Sequence, residues 1–388
     1  MVLQEAAQKS GGKLDIDIFS TREDFPEKIA SSLSEGMAIE NLEGPDGRPF
    51  KYEVGFVMDY YQALYPVVGI PDPVKFIDEL ERACNSQAKR LFVLFGDRYN
   101  KDLYFDLYNK FNVTPTRDII SRLLFLKNLA KEKFGNKSAE QLFNLWLLLA
   151  EIRKPLYLSE SGGYIFYLGS VHQRWLTRPF VPFPEELSPE EKGYFRKYLF
   201  QAKSEENAND MADLQASRTF SGWSGSFFVS RLMDDMRNSI NQARNLTSTL
   251  LKADLSSEQK KEFQLTDIRL QALYIICNNA ENAISYQAQL DKAKAMKYEP
   301  EQKPDIGKPS TWERTLILET ARKEIDNTAL LLMLLESTNE PIIDLAPLKE
   351  QEDIRRLGPD FKVQLKHKLQ IMNEHWLDYN RIYTTPNL

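Results

Sequence analysis

Carboxylate side chains near the start of the chain have the types and spacing that acid–base chemistry needs. Asp15 and Asp17 are two positions apart in the alternating segment KLDIDIF, so both lie on one face of a predicted strand. Asp59 ends the apolar run KYEVGFVMD, and Glu40 follows a predicted helix. Because two carboxylates can supply the acid and the nucleophile or base that cleave a glycosidic bond, Asp17, Glu40 and Asp59 are the candidate catalytic residues. A charged edge strand facing solvent is the alternative for Asp15 and Asp17.

Side chains that follow two of the predicted strands are candidates for binding a substrate. Tyr60 comes directly after Asp59, and Asp97 and Arg98 come after the apolar run RLFVLFG. A tyrosine ring can stack on the apolar face of a sugar, while a carboxylate accepts hydrogen bonds from its hydroxyls. The structural alternatives are a tyrosine-rich packing surface at residue 60 and a local ion pair at residues 97–98.

A loop rich in glycine and proline, residues 157–188, holds further candidates for substrate binding. His172, Arg174 and Trp175 lie close together in its segment SVHQRWLTRPFVPFP. Arginine binds anionic groups through a planar fork, and an aromatic ring offers a flat apolar surface. The cluster therefore predicts contact with an anionic or sugar ligand. The alternative is structural, with Trp175 buried and the arginines paired with Glu185 and Glu186.

The sequence lacks the signatures of common cofactor and metal sites. It contains no glycine-rich phosphate loop and no GxSxG, HExxH or CxxC pattern. His367 and His375 lie eight positions apart, which places them about 80° apart around a helix. We therefore expect no cofactor and no metal, and we expect these histidines to be solvated or to face a helix bundle. Cys84 and Cys277 cannot form a disulfide framework, so the stability must come from packing.

The elements that would carry these residues change in character near residue 115. Upstream, apolar runs at residues 13–19, 51–59 and 90–97 alternate with helical patterns at residues 21–36 and 71–84. This alternation is typical of βα units around a parallel sheet. Because a closed (β/α)₈ barrel takes about 250 residues, three units predict only a partial, barrel-like portion.

Downstream of residue 115 the pattern is helical. The chain has no proline between positions 189 and 300 and no glycine between positions 225 and 307, and only long helices go so far without breakers. Apolar stripes at steps of three and four begin near residues 229, 257, 318 and 361, which predicts an antiparallel bundle. Ser188 and Glu191 have the spacing of a capping box at a helix start.

These patterns predict a mainly α fold with an N-terminal α/β portion. Residues 1–112 form the α/β region with partial (β/α) barrel-like units. Residues 113–225 form a helical connector that includes the loop at 157–188, and residues 226–388 form the all-helical bundle. An exposed edge of the sheet would also allow a homodimer.

Two segments resemble a family of carbohydrate-active enzymes. They are YYQALYPVVGIPDPVKFIDELERACNSQAKRLFVLFGD, residues 60–97, and FNVTPTRDIISRLLFLKNLAKEKFGNKSAEQLFNLWLLLAEIRKPL, residues 111–156. Their order of elements, with a helix that ends in Phe134-Gly135, is similar to the barrel end and post-barrel helices of bacterial glycoside hydrolases of the α-glucuronidase and hexosaminidase type. The resemblance implies that the chain is the C-terminal part of such a protein. It also implies an incomplete active site, because the upstream strands that would hold the acid/base pair are absent from this sequence.

Composition and charge exclude several classes of function. The 388 residues carry 50 basic and 56 acidic side chains, a net charge of −6, so the sequence favours no nucleic-acid partner. Its apolar runs are shorter than the roughly 20 residues that span a bilayer, and its start lacks the features of a signal peptide. We expect a soluble protein that is cytoplasmic as it stands, or exported if a longer precursor exists.

Two hypotheses for the function follow from the sequence. In the first, the chain is the C-terminal portion of a carbohydrate-active protein that binds an oligo- or polysaccharide and lacks its full active site. In the second, it is a non-enzymatic helical protein-interaction module with a small α/β cap.

Overall fold

Helices make up most of the described part of the chain in a computed structural model, in which 79% of those residues are helical. The structure describes residues 55–59, 67–85, 90–94, 99–161, 175–198, 225–295, 311–352 and 357–381.

Two short strands pair in parallel. They are β1 (Gly55–Asp59) and β2 (Arg90–Leu94), and helix α1 (Pro73–Asn85) lies between them in the sequence. Because Asp59 lies opposite Leu94, both strands end at the same edge of the pair. The strands and the helix predicted at residues 51–59, 71–84 and 90–97 are formed over these bounds.

Within the described ranges, three further helices precede the C-terminal half. They are α2 (Lys101–Val113), α3 (Ile119–Ser161) and α4 (Pro189–Tyr198). The start of α3 is capped reciprocally, since the Ser121 N–H donates to Asp118 Oδ1 at 2.8 Å and the Asp118 N–H donates to Ser121 Oγ at 3.2 Å. The helix is kinked at Gly135, whose φ of 72° lies in the left-handed region that glycine adopts most easily.

The prediction of partial (β/α) barrel-like units is wrong, because the described residues are mainly helical and hold a single pair of short strands rather than a series of barrel-like units. Helix α1 buries Phe76, Ile77 and Leu80 and packs against α2 and α3. The runs at residues 51–59 and 90–97 do form strands, but the apolar pattern of a strand does not show how many further units lie beside it, and this explains the error. The elements predicted at residues 13–19 and 21–36 lie outside the described residues.

Among the described residues of the C-terminal half are four helices: α5 (Gly225–Leu251), α6 (Ser257–Ala295), α7 (Thr311–Glu336) and α8 (Phe361–Glu374). A 3₁₀ turn over Trp376–Arg381 follows α8. Helices α5 and α6 are antiparallel, because Arg237 contacts Glu281 whereas Arg244, seven positions later, contacts Asp267. The four apolar stripes of the sequence correspond to these helices.

One hydrophobic core joins this bundle to the residues before it. Helix α3 packs along α5, and Leu142, Trp146 and Leu149 of α3 belong to the same buried cluster as Leu232 and Met236 of α5. Residues predicted to form a connector therefore share a core with the bundle. The domain boundaries after residues 112 and 225 stay predictions.

Residues 175–198, which we call the docking segment, lie against the bundle. The segment contains a helical turn at residues 175–177, a 3₁₀ turn over Pro184–Glu186 and then α4. Val181 and Leu187 of this segment pack against Ile371 of α8. No helix within the described ranges has both the length and the apolar character that a membrane crossing requires.

Candidate functional site

Most of the predicted site residues lie outside the described residues. This holds for Asp17, Glu40, Tyr60, Asp97, Arg98, His172 and Arg174. Asp59 ends β1, opposite Leu94 of β2, and only its backbone position is described. The catalytic and substrate-binding roles of these residues stay predictions. Within the described ranges, no group of three histidine, cysteine, aspartate or glutamate side chains is placed to hold a metal ion.

Trp175 is a predicted binding residue whose side chain lies within the described part of the structure. It is 7% exposed and belongs to the hydrophobic core. Its backbone oxygen accepts a hydrogen bond from Asn279 Nδ2 of α6 at 3.2 Å. The burial matches the structural alternative for this tryptophan, whereas Glu186 contacts Arg381 of the 3₁₀ turn after α8.

A buried ion pair holds the first residues of the docking segment. Lys368 of α8 and Glu324 of α7 are 0% and 1% exposed, and their Nζ and Oε1 atoms are hydrogen-bonded. Lys368 Nζ also donates to the Leu176 backbone oxygen at 3.0 Å. Asn279 and Asn282 of α6 donate to the two Glu324 carboxylate oxygens at 2.6 and 2.9 Å. We call these four side chains, with the backbone oxygens of residues 175 and 176, the inner contact.

The two charges of the inner contact are buried away from solvent. Burial lowers the pKa of Lys368, and the negative charge of Glu324 opposes that effect. Each charge is satisfied by hydrogen bonds, which is the condition under which a buried ion pair is tolerated. Three helices and the docking segment enclose the pair. The hydrogen bonds of the inner contact to the backbone of residues 175 and 176 therefore hold the start of the segment against α6, α7 and α8.

Two tyrosines extend this contact along the docking segment. The Tyr379 hydroxyl donates to the Phe180 backbone oxygen at 2.9 Å, and its oxygen lies 3.0 Å from the Tyr286 hydroxyl, to which it is hydrogen-bonded. The ring of Phe180 stacks on that of Tyr286 with centroids 4.7 Å apart. Burial raises the pKa of both tyrosines, so the hydroxyls stay protonated.

A second, partly exposed charge cluster holds the later residues of the docking segment. His375, which follows α8, lies between two carboxylates: its Nδ1 is 2.8 Å from Asp378 Oδ2, and its Nε2 is 2.9 Å from Glu191 Oε1 of α4. Arg381 donates to Glu186 Oε2 at 2.6 Å and lies 3.3 Å from Asp378 Oδ1. We call these five residues the outer contact.

The capping box predicted at the start of α4 is confirmed and shares Glu191 with the outer contact. The Ser188 N–H donates to Glu191 Oε2 at 2.9 Å, and the Glu191 N–H donates to Ser188 Oγ at 3.2 Å. Burial acts to raise the pKa of Glu191, but the hydrogen bonds from Ser188 and His375 outweigh it and lower the pKa. Burial also acts to lower the pKa of His375, and the contacts with Asp378 and Glu191 raise it instead.

Sequence reasoning did not find either contact. It treats His375 as solvated or facing the bundle, although the histidine bridges two carboxylates. The local half of the outer contact is readable, because Ser188 and Glu191 are three positions apart. His375 lies 184 positions from Glu191, and no spacing rule connects positions at that separation.

A polar cleft of about 400 Å³ lies between α5 and α6. Its lining residues are Asn241, Arg244, Asn245, Ser248 and Asp267. Arg244 Nε donates to Asp267 Oδ1 at 2.9 Å, which neutralises the charge across the cleft. The cleft therefore offers amide, hydroxyl and guanidinium groups without a large net charge.

The first turns of α3 carry exposed apolar side chains. Ile120 and Leu124 are 76% and 59% exposed. With Lys127 and Lys131 they occupy positions i, i+4, i+7 and i+11, which lie on one side of a helix. We call these four residues the α3 face.

Comparisons of the chain with models of known protein families, with curated proteins and with solved structures find no match. The resemblance of residues 60–97 and 111–156 to glycoside hydrolases stays a prediction.

Proposed function

We propose that the chain is a helical protein-interaction module that binds its partner through the α3 face. The observation that supports the proposal most strongly is the exposure of Ile120 and Leu124, one turn apart on the same side of α3. Residues 105–124 also include Phe105, Tyr108 and Val113 among the exposed large apolar side chains. Exposed apolar side chains that are neighbours on one side of a helix, as Ile120 and Leu124 are, are typical of protein interaction sites.

The α3 face also favours a particular kind of partner. Its two apolar side chains are followed on the same side of the helix by Lys127 and Lys131, which are also exposed. Lys127 contacts Glu140 at 2.7 Å, but both side chains are about half exposed, and such a pair contributes little and exchanges partners easily. An apolar surface bordered by acidic side chains would therefore bind the α3 face better than one bordered by basic side chains.

The energy available from the α3 face is modest. Full burial of an isoleucine or leucine side chain contributes about 1.5–3 kcal/mol. Since about 1.4 kcal/mol corresponds to a tenfold change in affinity, replacing Ile120 with aspartate should weaken binding at least tenfold. An aspartate at this position would also oppose the acidic border of the partner.

Two synthetic helical peptides test the proposal. Both carry leucines on one side of the helix; one has glutamates at the border of that side and the other has lysines. Fluorescence anisotropy should show binding of the glutamate peptide, weaker binding of the lysine peptide, and loss of binding for the Ile120→Asp variant. Val363→Asp is the matched control, because Val363 of α8 is also an exposed apolar residue, at 65% against 76% for Ile120.

Three results would contradict this proposal. Equal binding of the two peptides would contradict the preference for a partner with an acidic border. An equal loss of peptide binding in the Val363→Asp control would show that the α3 face is not the site. Self-association of the chain that disappears in Ile120→Asp, measured by analytical ultracentrifugation, would identify a second copy of the chain as the occupant instead.

Binding of an oligo- or polysaccharide is a second candidate function, which the polar cleft between α5 and α6 supports. Polar groups that converge in a cleft can hydrogen-bond the hydroxyls of a sugar. Titration calorimetry with maltotriose, xylotriose and trigalacturonate tests this. We expect heat of binding from at least one of them and its loss in Asn245→Ala, with Asn128→Ala of α3 as the control. No heat from any of the three would remove the support that the cleft gives to this candidate.

A further inference from the structure

We propose that His375 forms a pH-sensitive latch that holds the later half of the docking segment on α8 when the imidazole is protonated and releases it when the imidazole is neutral. The proposal is independent of the function proposed above. It rests on the position of one ring between two carboxylates that belong to different parts of the fold. Asp378 lies three positions after His375 in the same turn, whereas Glu191 lies on α4 of the docking segment.

The geometry requires a protonated ring. Each imidazole nitrogen lies within hydrogen-bonding distance of a carboxylate oxygen, and a carboxylate only accepts. Both nitrogens can donate at once only in the imidazolium form. A neutral imidazole has one donor, so one of the two carboxylates would then face a nitrogen lone pair.

Glu191 is the carboxylate that the neutral ring loses. The contact with Asp378 closes a loop of three residues, and the contact with Glu191 has to hold two separate segments together. Glu191 also keeps an alternative donor, because the Ser188 N–H binds its other oxygen at 2.9 Å. The local contact therefore persists at lower entropic cost, and the contact across the interface is broken.

The other charged groups around the ring do not replace this contact. Arg381 lies in the same turn as Asp378 and is shared between Asp378 and Glu186 of the docking segment. The Arg381–Glu186 pair has about half of each side chain exposed, and exposed pairs of this kind contribute little. Val181 remains packed on Ile371, and the inner contact remains buried, so the segment opens only at its later end.

The direction of the pH effect follows from linkage. The contacts with Asp378 and Glu191 raise the pKa of His375 above its ordinary value. The docking that they supply is therefore fully present below the ordinary pKa of histidine and is lost as the pH rises through the raised value. Titration of the histidine switches the segment from held to open as the solution becomes more alkaline.

Hydrogen exchange of the full chain tests the latch. Mass spectrometry would compare peptides that cover residues 186–198 with peptides that cover residues 175–183, at about pH 5.5 and about pH 8.5, after correction for the intrinsic exchange rates. We expect protection of residues 186–198 to fall several-fold at the higher pH and protection of residues 175–183 to change little. In His375→Gln, which cannot become charged, residues 186–198 should be poorly protected at both pH values.

A second measurement separates the latch from a purely structural role. An NMR titration of the His375 Cε1 proton should give a pKa above the ordinary value, and Glu191→Gln should lower it. A pKa at or below the ordinary value, or one that Glu191→Gln leaves unchanged, would overturn the proposal. So would equal protection of residues 186–198 at the two pH values. His367→Gln, on α8 two turns earlier, is the control for the general effect of losing a histidine.

Discussion

The docking segment is held at its two ends by contacts of opposite character. Both contacts pair a cation at the C-terminal end of the chain with a glutamate. At the inner contact, Lys368 and Glu324 are enclosed by three helices and have no access to water. At the outer contact, His375 and Glu191 are partly exposed and belong to a chain of charges that reaches the surface.

The difference shows how burial changes the role of an ion pair. Removing water makes each charge dependent on its partner, so the inner contact resists change but is costly to break. Partial exposure allows water to replace the partner, so the outer contact contributes less and responds to pH. One segment is thus fixed at its start and adjustable at its end.

Breaking the inner contact should have the largest effect. Lys368→Met leaves the buried carboxylate of Glu324 without a cation, which should lower the free energy of unfolding by about 3–5 kcal/mol. Urea denaturation followed by circular dichroism measures this loss. Lys366→Met, an exposed lysine on the same helix, is the matched control and should have no comparable effect.

A double variant shows whether the loss comes from the unpaired charge. Glu324→Leu combined with Lys368→Met removes both charges and should recover part of the stability, although Asn279 and Asn282 lose their acceptors. If the single variant costs less than about 1 kcal/mol, water reaches the pair, and the contrast between a dry inner and a wet outer contact fails.

Loss of the Tyr379 hydrogen bond should have the second-largest effect on the free energy of unfolding. Tyr379→Phe keeps the ring but leaves the buried Phe180 backbone oxygen without its donor, which should cost about 1–2 kcal/mol. The urea midpoint measures it, and Tyr108→Phe on the surface of α2 is the control. If the loss of stability in Tyr379→Phe differs between about pH 5.5 and about pH 8.5, roughly the range in which histidine titrates, the hydrogen bond of Tyr379 is coupled to the outer contact.

Features of this fold that depend on residues close together in the sequence can be predicted from it. The stripes of α5 to α8 are readable because each helix repeats one apolar face over many turns. The capping box of Ser188 and Glu191 is readable because its two members are three positions apart. The barrel-like units were predicted wrongly, because apolar runs of strand length do not reveal that α1 packs on α2 and α3.

The inner and outer contacts join residues that are far apart in the sequence, and no pattern of local spacing predicts such pairs. Glu324 and Lys368 are 44 positions apart on neighbouring helices, and each looks like an ordinary surface charge in the sequence. Only the packing of α6, α7, α8 and the docking segment places them together out of water. Trp175 shows the same limit, since its neighbours in sequence indicate a binding loop while its burial depends on the bundle.

Loss of the histidine should have a smaller effect that depends on pH. His375→Gln should lower the free energy of unfolding by up to about 1 kcal/mol at acidic pH, because a partly exposed pair contributes little. The difference from the wild type should shrink as the pH rises through the raised pKa of His375, where the wild type also loses its charge. Urea midpoints at a series of pH values measure this. A difference that grows with pH would have the wrong sign for a histidine stabilised by Glu191 and Asp378.

Removal of Arg381 should have the smallest effect and should respond to salt rather than to burial. Its contact with Glu186 lies at the surface, where water and ions compete for both groups. We expect Arg381→Ala to leave the urea midpoint nearly unchanged and any small difference from the wild type to vanish at about 1 M salt. The inner contact provides the comparison, because the loss in Lys368→Met should persist in the same salt. If Arg381→Ala instead destabilised the chain as much as Tyr379→Phe, the later end of the docking segment would depend on Arg381 and its contacts with Glu186 and Phe183, and the histidine latch would no longer account for its release.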